Sequence, residues 1–293
     1  MIRERRRSGR PVWRWLSYGI GVLVVTLAIL ILVGMGNARS KPIVRQLTLH
    51  MPGLPDGSRP TRVALLADIH LGNMGMTSAR LAEVVEQVNA AHPDLVLLAG
   101  DFVTGHDAQG AAERAAGLSR PLTHLRAPLG VVAVLGNHDH WTAPGAVRAA
   151  LSKAGIVVLE NQAVRRGPFA VVGIGDRFSG HDDAFLSLAA ARSIGGVPLV
   201  LTHSPDVVPD LPASLPIVLA GHTHCGQVVL PWIGPLVMRA PKDHWRQLYN
   251  PRYRCGIVRD GTRTTIVTAG VGSGTSPIRL GAMPDWWLIT LEP

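Results

Sequence analysis

Five short polar motifs, each closing an apolar run, carry the residue types that could do chemistry in this chain. Together they supply three carboxylates, one amide and five imidazoles, with no sulfur. Mixed nitrogen and oxygen donors suit two borderline or hard divalent cations better than a single structural zinc ion. The motifs read Asp68-Ile-His70, Gly100-Asp101, Gly136-Asn137-His138-Asp139, Thr202-His203 and Gly221-His222-Thr223-His224.

Taken singly, each motif also has an ordinary structural explanation. Gly100-Asp101 is common turn chemistry, and Asn137 could form an Asx turn or a helix cap. His203 alone could be a satisfied core histidine. Asp68 and His70 alternate along what we expect to be extended chain, so both could face one ion. The coincidence of all five motifs at the ends of apolar runs favours a shared metal site.

The elements that must position these motifs alternate between strand-like and helix-like segments. Apolar runs predict strands at 63–67, 94–99, 131–135, 156–159, 170–174, 199–201, 217–219, 265–268 and 287–291, with a short edge strand at 44–49. Helical spacing predicts helices at 78–91, 111–125 and 146–154. This rhythm indicates an α/β domain with a largely parallel sheet and some antiparallel strands late in the chain. Ligands of such sheets bind beyond the carboxyl ends of the strands, so the motifs should meet at one rim.

The five motifs, in this order, resemble the signature of the calcineurin-like metallophosphoesterases over about residues 61–225. The downstream His224-Cys225-Gly226-Gln227 and the segment 270–291 resemble one branch of that family, which contains bacterial, often membrane-anchored phosphodiesterases. Cys225 departs from the pattern, where glycine is usual. The resemblance implies a four-layer α/β/β/α sandwich.

The resemblance also implies the roles of the site residues. Two divalent metal ions, for which manganese, iron and zinc are all suitable, would share Asp101 as a bridge. One ion would be held by Asp68, His70, Asp101 and His224, and the other by Asp101, Asn137, His203 and His222. A metal-bridging hydroxide would be the nucleophile, and His138 would stabilise the transition state or protonate the leaving oxygen.

The first part of the chain predicts a membrane anchor. Residues 16–36 form about 20 uncharged residues, the length of a membrane-spanning helix. A cleaved signal peptide is the alternative, since Gly36 and Ala38 could serve a cleavage site. Residues 1–15 form a basic tail with six arginines, which predicts a cytoplasmic N-terminus and an extracytoplasmic domain, with a domain at the cytoplasmic face as the alternative. We expect a connector at 37–60 and the metallophosphoesterase domain at 61–293.

The sequence leaves several functional questions open. We expect hydrolysis of a phosphodiester or pyrophosphate bond in a phosphate ester, with a lipid-linked ester as one candidate; a catalytically silent adaptor and a nuclease are the alternatives. Nucleic acid is a poor match, because much of the +9 net charge lies in the basic tail. The substrate, the oligomeric state and the pairing of Cys225 with Cys255 are not decided. His140, Asn73 and His181 are weaker candidates for the cleft, with His140 expected at an exposed turn.

Overall fold

A computed structural model describes residues 10–105, 107–240 and 244–293, so the arginines at positions 3–7 of the expected basic tail lie outside the described residues. The helices are α1 Arg10–Ala38, α2 Ser78–Ala90, α3 Ala108–Ala116, α4 Ser119–Leu122, α5 Asn137–Thr142, α6 Pro144–Lys153 and α7 Ala184–Ile194. The strands of the first half are β1 Ile43–His50, β2 Thr61–Leu66, β3 Leu95–Ala99, β4 Val131–Val134, β5 Val157–Leu159, β6 Gln162–Arg166 and β7 Phe169–Gly173. Those of the second half are β8 Val197–Leu201, β9 Ile217–Ala220, β10 Val229–Leu230, β11 Gly234–Pro235, β12 Arg239–Ala240, β13 Arg246–Gln247, β14 Gly256–Asp260, β15 Arg263–Val267 and β16 Asp285–Glu292.

The strands form two six-stranded sheets and two small hairpins. The first sheet has the order β1-β16-β2-β3-β4-β5, in which β16 pairs antiparallel with β2 and the other neighbours are parallel. The second sheet has the order β14-β15-β9-β8-β7-β6, parallel through its centre and antiparallel at both edges. The late antiparallel strands expected from the sequence are therefore present, distributed over two sheets.

The two sheets pack face to face and helices cover their outer faces. Side chains of β2, β3 and β4 meet those of β7, β8 and β9 in the inter-sheet core. Helices α2, α3 and α6 cover the first sheet, and α7 packs against β6 and β7 of the second. This arrangement confirms the four-layer α/β/β/α sandwich.

Helix α2 shows how the sequence pattern produces a layer of this sandwich. The helix predicted at 78–91 is present, and its four buried residues recur at helical spacing: Leu81, Val84, Val85 and Val88. The Thr77 hydroxyl caps the helix by accepting a hydrogen bond from the backbone N–H of Arg80 at 3.2 Å. The amphipathic stripe and the cap together fix where the helix begins and which face it buries.

One expectation about this core was wrong. The helix predicted at 111–125 is broken: α3 ends before Gly117 and the short α4 contains Pro121, which lacks a backbone donor. The neighbouring residues Trp286 and Trp287 of β16 are both buried. Adjacent strand residues do face opposite sides, and here helices cover one side while the second sheet covers the other.

The segment between the apolar helix and β2 is part of the fold. Helix α1 ends at Ala38, and only residues 39–42 separate it from β1, which confirms the predicted edge strand. Much of the segment 37–60, treated above as a connector, is thus helix end and sheet strand. The part of α1 from Trp13 to Ala38 is long and apolar enough to cross a bilayer. The domain does not bury its most apolar stretch.

Candidate metal centre

All five motifs lie at one edge of the sandwich, where strands of both sheets end. Asp68, Asp101 and Asn137 follow β2, β3 and β4 of the first sheet, while His203 and His222 follow β8 and β9 of the second. A backbone hydrogen bond joins two neighbouring motifs: Asp68 N donates to Gly100 O at 2.9 Å. The site is therefore built at the junction of the two sheets, which is the geometry expected for a ligand crevice in parallel sheets.

The backbone at this edge is not extended, contrary to the expectation for Asp68 and His70. Five motif residues adopt left-handed conformations, a region that non-glycine residues enter at a cost of about 1–2 kcal/mol each. Such backbone strain clusters at functional sites, where surrounding structure maintains it. The five φ values are 55° for Asp68, 48° for His70, 55° for Asp101, 70° for His222 and 49° for His224.

Gly100 shows why one motif requires glycine. It has a φ of 83°, and a Cβ atom placed there would lie 2.7 Å from both His203 Nδ1 and the backbone N of Gly136. The absence of a side chain therefore lets the β3, β4 and β8 ends approach closely.

One group of donors gathers around the end of β2. The Nε2 atoms of His70 and His224 are 3.1 Å apart, and His224 Nε2 lies 3.5 Å from Asp68 Oδ1. Two nitrogen atoms that each bind one ion at about 2.1 Å, at right angles, also lie about 3.0 Å apart. Asp68, His70 and His224 thus meet the distance requirements of a shared ion.

A second group gathers between β4, β8 and β9. His203 Nε2 lies 3.1 Å from Asn137 Oδ1 and 3.3 Å from His222 Nδ1. The remaining ring nitrogens are engaged with backbone carbonyls, His203 Nδ1 with Ala99 O at 2.6 Å and His222 Nε2 with Leu248 O at 2.8 Å. These outer contacts orient the rings so that Nε2 of His203 faces Asn137 and Nδ1 of His222 faces Nε2 of His203.

Asp101 lies between the two groups. Its Oδ2 atom is 3.4 Å from His70 Nε2 and 3.3 Å from His203 Nε2. Its Oδ1 atom accepts a hydrogen bond from the backbone N–H of His138 at 2.8 Å. One carboxylate oxygen therefore faces donors of both groups, as a bridging ligand must.

Burial and mutual charges strongly shift the protonation equilibria of the cluster. Burial raises the pKa of Asp68 to about 8 and lowers the pKa of His70 to about 3. Burial would also raise the pKa of Asp101, but the charges of His203, His138 and His70 and the hydrogen bond with His203 together outweigh it and hold that pKa well below the usual range. Divalent cations favour carboxylates and neutral imidazoles. A bound cation would therefore lower the pKa of Asp68, against the effect of burial.

Asp139 braces the loops that carry the bridging residue. Its Oδ1 accepts backbone hydrogen bonds from Phe102 at 2.9 Å and Val103 at 3.3 Å, and its Oδ2 accepts one from Gly136 at 2.9 Å. Burial and the neighbouring Asp101 charge raise the pKa of Asp139 to about 7. These contacts fix the loop after β3 against the turn after β4.

His138 lies at the rim of the cluster beside an aromatic wall. Its ring packs edge-to-face on His70 at 5.0 Å and against Trp141 at 5.4 Å, and Trp141 contacts Phe178. His138 also lies within ligand distance of His70 and Asp101. Position alone therefore leaves it both a catalytic and a ligating candidate.

Two residues that sequence reasoning missed contact the cluster or act on it electrostatically. Arg279 is fully buried, and its Nη2 lies 3.0 Å from His224 Nδ1. Asp176 is also buried, and its negative charge contributes to raising the pKa of His203. Asp176 follows an apolar strand and a glycine, as Asp101 does, so the same sequence signal could have found it.

The weaker candidates have structural partners. His140, expected at an exposed turn, has a side chain only 5% exposed, and its ring stacks on that of His181 at 3.8 Å. Asn73 donates to the carbonyls of Ser273 at 2.7 Å and Gly274 at 2.8 Å, so it holds two loops together.

A disulfide bond joins Cys225 to Cys255, the pairing that the sequence left open. Cys225 directly follows His224 in the 3₁₀ turn His224–Gly226. The bond ties this turn to the segment before β14. A disulfide bond therefore constrains the backbone directly beside His224, a candidate metal ligand.

Comparison with known proteins gives a consistent result. The sequence profile of the family described as "Calcineurin-like phosphoesterase" matches residues 61–226. "Transmembrane protein with metallophosphoesterase domain" from Danio rerio is 30% identical over 92% of this chain, which spans 62% of that relative's length, less than two thirds.

Two bacterial relatives are covered more completely. "Uncharacterized metallophosphoesterase YkuE" from Bacillus subtilis is 28% identical, with 82% of each chain covered. "Phosphodiesterase YaeI" from Escherichia coli is 30% identical, with 80% of this chain and 84% of that protein covered.

Proposed function

Because a family profile matches more than half of the chain, the protein belongs to the calcineurin-like phosphoesterase family, and we propose that it is a membrane-anchored, metal-dependent hydrolase of phosphodiester or pyrophosphate bonds. The position of Asp101 between His70 and His203 is the observation that carries the proposal. The name of the Escherichia coli relative supports a phosphodiester among phosphate esters.

The ligand assignment follows the two groups of donors. Asp101 is the shared ligand. The first ion would be held by Asp68, His70, Asp101 and His224, and the second by Asp101, Asn137, His203 and His222. Two divalent ions held there would supply a water of lowered pKa and neutralise charge on the phosphate. Manganese, iron and zinc all suit these donors.

The protein's own residues position the reacting groups. His138, at the rim, donates a proton to the leaving oxygen of the ester or stabilises the charge that develops there. Its backbone N–H is held by Asp101 Oδ1, so the position of His138 follows that of the bridging carboxylate. Trp141 packs against the ring and shields one side of it from water.

The membrane placement follows from α1, which we propose spans the bilayer and is retained. The six arginines of the tail support an N-terminus in the cytoplasm and a domain outside it. The Cys225–Cys255 bond supports the same side, because disulfides persist in oxidising compartments. The transmembrane naming of the Danio rerio relative supports the anchor.

The deciding experiment is hydrolysis of a soluble aryl phosphodiester by the full chain in detergent, before and after exhaustive chelation. We expect chelation to abolish hydrolysis and a divalent transition metal to restore it. Full activity in a sample shown by elemental analysis to be free of metal would overturn the mechanism. Binding of metal without hydrolysis of any phosphate ester would favour the catalytically silent adaptor.

A further inference from the structure

The end of α1 is fixed to the domain by hydrogen bonds. Arg279 N donates to Gly34 O at 2.9 Å, and the Asn37 side chain donates to Arg279 O at 3.1 Å. The Arg80 guanidinium donates to the carbonyls of Ala38 at 2.7 Å and Ser40 at 2.8 Å. These contacts hold α1 in one orientation, so the domain does not hang from a flexible tether.

The attachment lies at the edge of the sandwich that carries the metal centre. Strand β1 begins at Ile43, paired with Asp285 at the start of β16. Strand β16 runs antiparallel to β2, so its start lies beside the end of β2, where Asp68 follows. A bilayer around α1 would therefore lie on the side of the protein where the site is.

Two short hairpins next to this attachment expose a large apolar surface. The first is β10–β11 and the second β12–β13, each antiparallel. The exposed fractions are 103% for Trp232, 73% for Ile233, 54% for Leu236, 55% for Val237 and 63% for Trp245. We call these five residues the hairpin surface. Several large apolar side chains exposed on two consecutive hairpins mark a contact with another molecule or a membrane.

Hydrogen bonds connect the first hairpin to the end of α1. Val229, at the start of the first hairpin, donates its N–H to Leu280 O at 2.8 Å, and Leu280 N donates to Gln227 O at 3.0 Å. Leu280 directly follows Arg279, whose N–H bonds the end of α1. A short series of hydrogen-bonded residues therefore links the start of the first hairpin to the point where α1 leaves the domain.

The composition of this region matches the interfacial layer of a bilayer. Tryptophan is enriched at membrane–water interfaces, where its ring is half in apolar and half in polar surroundings. Residues 228–248 contain three basic side chains and one acidic one, a balance that favours anionic headgroups. The backbone of Leu248, just after the second hairpin, accepts the hydrogen bond from His222 Nε2.

We propose that the hairpin surface is a second membrane contact, which inserts into the interfacial layer of the bilayer that α1 spans. The bilayer is the occupant because the surface continues from the end of the membrane helix. The proposal rests on the anchoring part of the proposed function. It places the metal centre over the headgroup layer, so lipid-borne phosphate esters reach the site without leaving the membrane, at raised effective concentration.

The test uses the full chain reconstituted into vesicles of phosphatidylcholine and phosphatidylglycerol. The sequence has two cysteines, both in the disulfide, so a single added thiol can carry an environment-sensitive fluorophore. Trp232→Cys places the label on the hairpin surface. Asp56→Cys is the matched control, exposed on the loop between β1 and β2 at the opposite edge.

We expect the label at position 232 to show blue-shifted emission and quenching by brominated lipid, while the label at position 56 shows neither. Equal, water-like emission at both positions in vesicle-bound protein would overturn the membrane contact. So would a blue shift at position 232 that disappears at a low protein-to-lipid ratio, because it would report contact between copies of the chain. Failure of the full chain to float with vesicles after carbonate washing would instead overturn the anchor itself.

Discussion

Arg279 lies against His224, with its Nη2 atom 3.0 Å from Nδ1 of the ring, while the backbone of the same arginine bonds the end of α1. Its guanidinium also donates to the carbonyls of Ala269 at 2.6 Å, Gly272 at 2.9 Å and Ala282 at 3.1 Å. One buried residue therefore connects the membrane helix, the loop before β16 and a proposed metal ligand.

Replacing this arginine should weaken both the fold and the metal site. Arg279→Met leaves several buried carbonyls without donors, and each buried acceptor left unsatisfied costs about 1–3 kcal/mol. We expect a lower thermal midpoint and reduced metal content after dialysis, measured by unfolding in detergent and elemental analysis. Arg59→Met is the control, since Arg59 is 83% exposed and pairs with Asp94 at the surface. Wild-type metal content in Arg279→Met would refute the positioning role.

The catalytic and ligating residues should separate in a pair of substitutions. His138→Ala should lower turnover by about 10²–10⁴-fold, the range for a lost acid–base group, with metal content unchanged. Asp101→Ala should lose metal, because both groups of donors face that carboxylate. Turnover and bound metal are measured on the same preparations. Loss of metal in His138→Ala would make His138 a ligand and would reverse its assignment.

Docking of α1 can be tested with two glycines on the same helix. A Cβ atom at Gly34 would collide with the Ile278 side chain, while nothing lies within 4 Å of one at Gly36. Gly34→Val should therefore displace the helix end and raise hydrogen exchange at the Arg279 amide, whose acceptor is Gly34 O. Gly36→Val should leave exchange there as in the wild type. Equal exchange in the two variants would show that α1 is not docked.

The disulfide should form only outside the cytoplasm and should contribute to stability. Cys225 and Cys255 are separated by 30 residues, and for a loop of that length the chain-entropy model gives about 3–4 kcal/mol. Substituting both by serine should lower the thermal midpoint. In intact cells we expect no labelling by a thiol reagent until a reductant is added.

A reporter that is active only outside the cytoplasm, fused after Pro293, checks the same orientation independently. We expect it to be active. A cytoplasm-only signal, together with freely labelled cysteines, would place the domain at the cytoplasmic face. The two readouts fail together only if the orientation is wrong, whereas loss of the disulfide alone would leave the reporter active.

The sequence by itself determined the elements and the chemistry at their ends. Strand-length apolar runs and helical spacing are local patterns, so α2 and the central strands appear where they were predicted. The polar motifs follow those runs, and the carboxyl ends of parallel strands share an edge, so the meeting of Asp68, Asp101 and His203 could be expected. The match to a family signature added the pairing of donors with two ions, which remains a prediction.

Only the tertiary structure decided what depends on contacts between distant segments. Trp287 is buried because a second sheet covers that face, and the side chain of His140 is shielded from solvent where His181 stacks on it. The left-handed backbone of His70 is maintained by packing at the sheet junction, since its local sequence does not require it. The role of Arg279 depends on hydrogen bonds to residues more than 200 positions away, and composition cannot reveal such bonds.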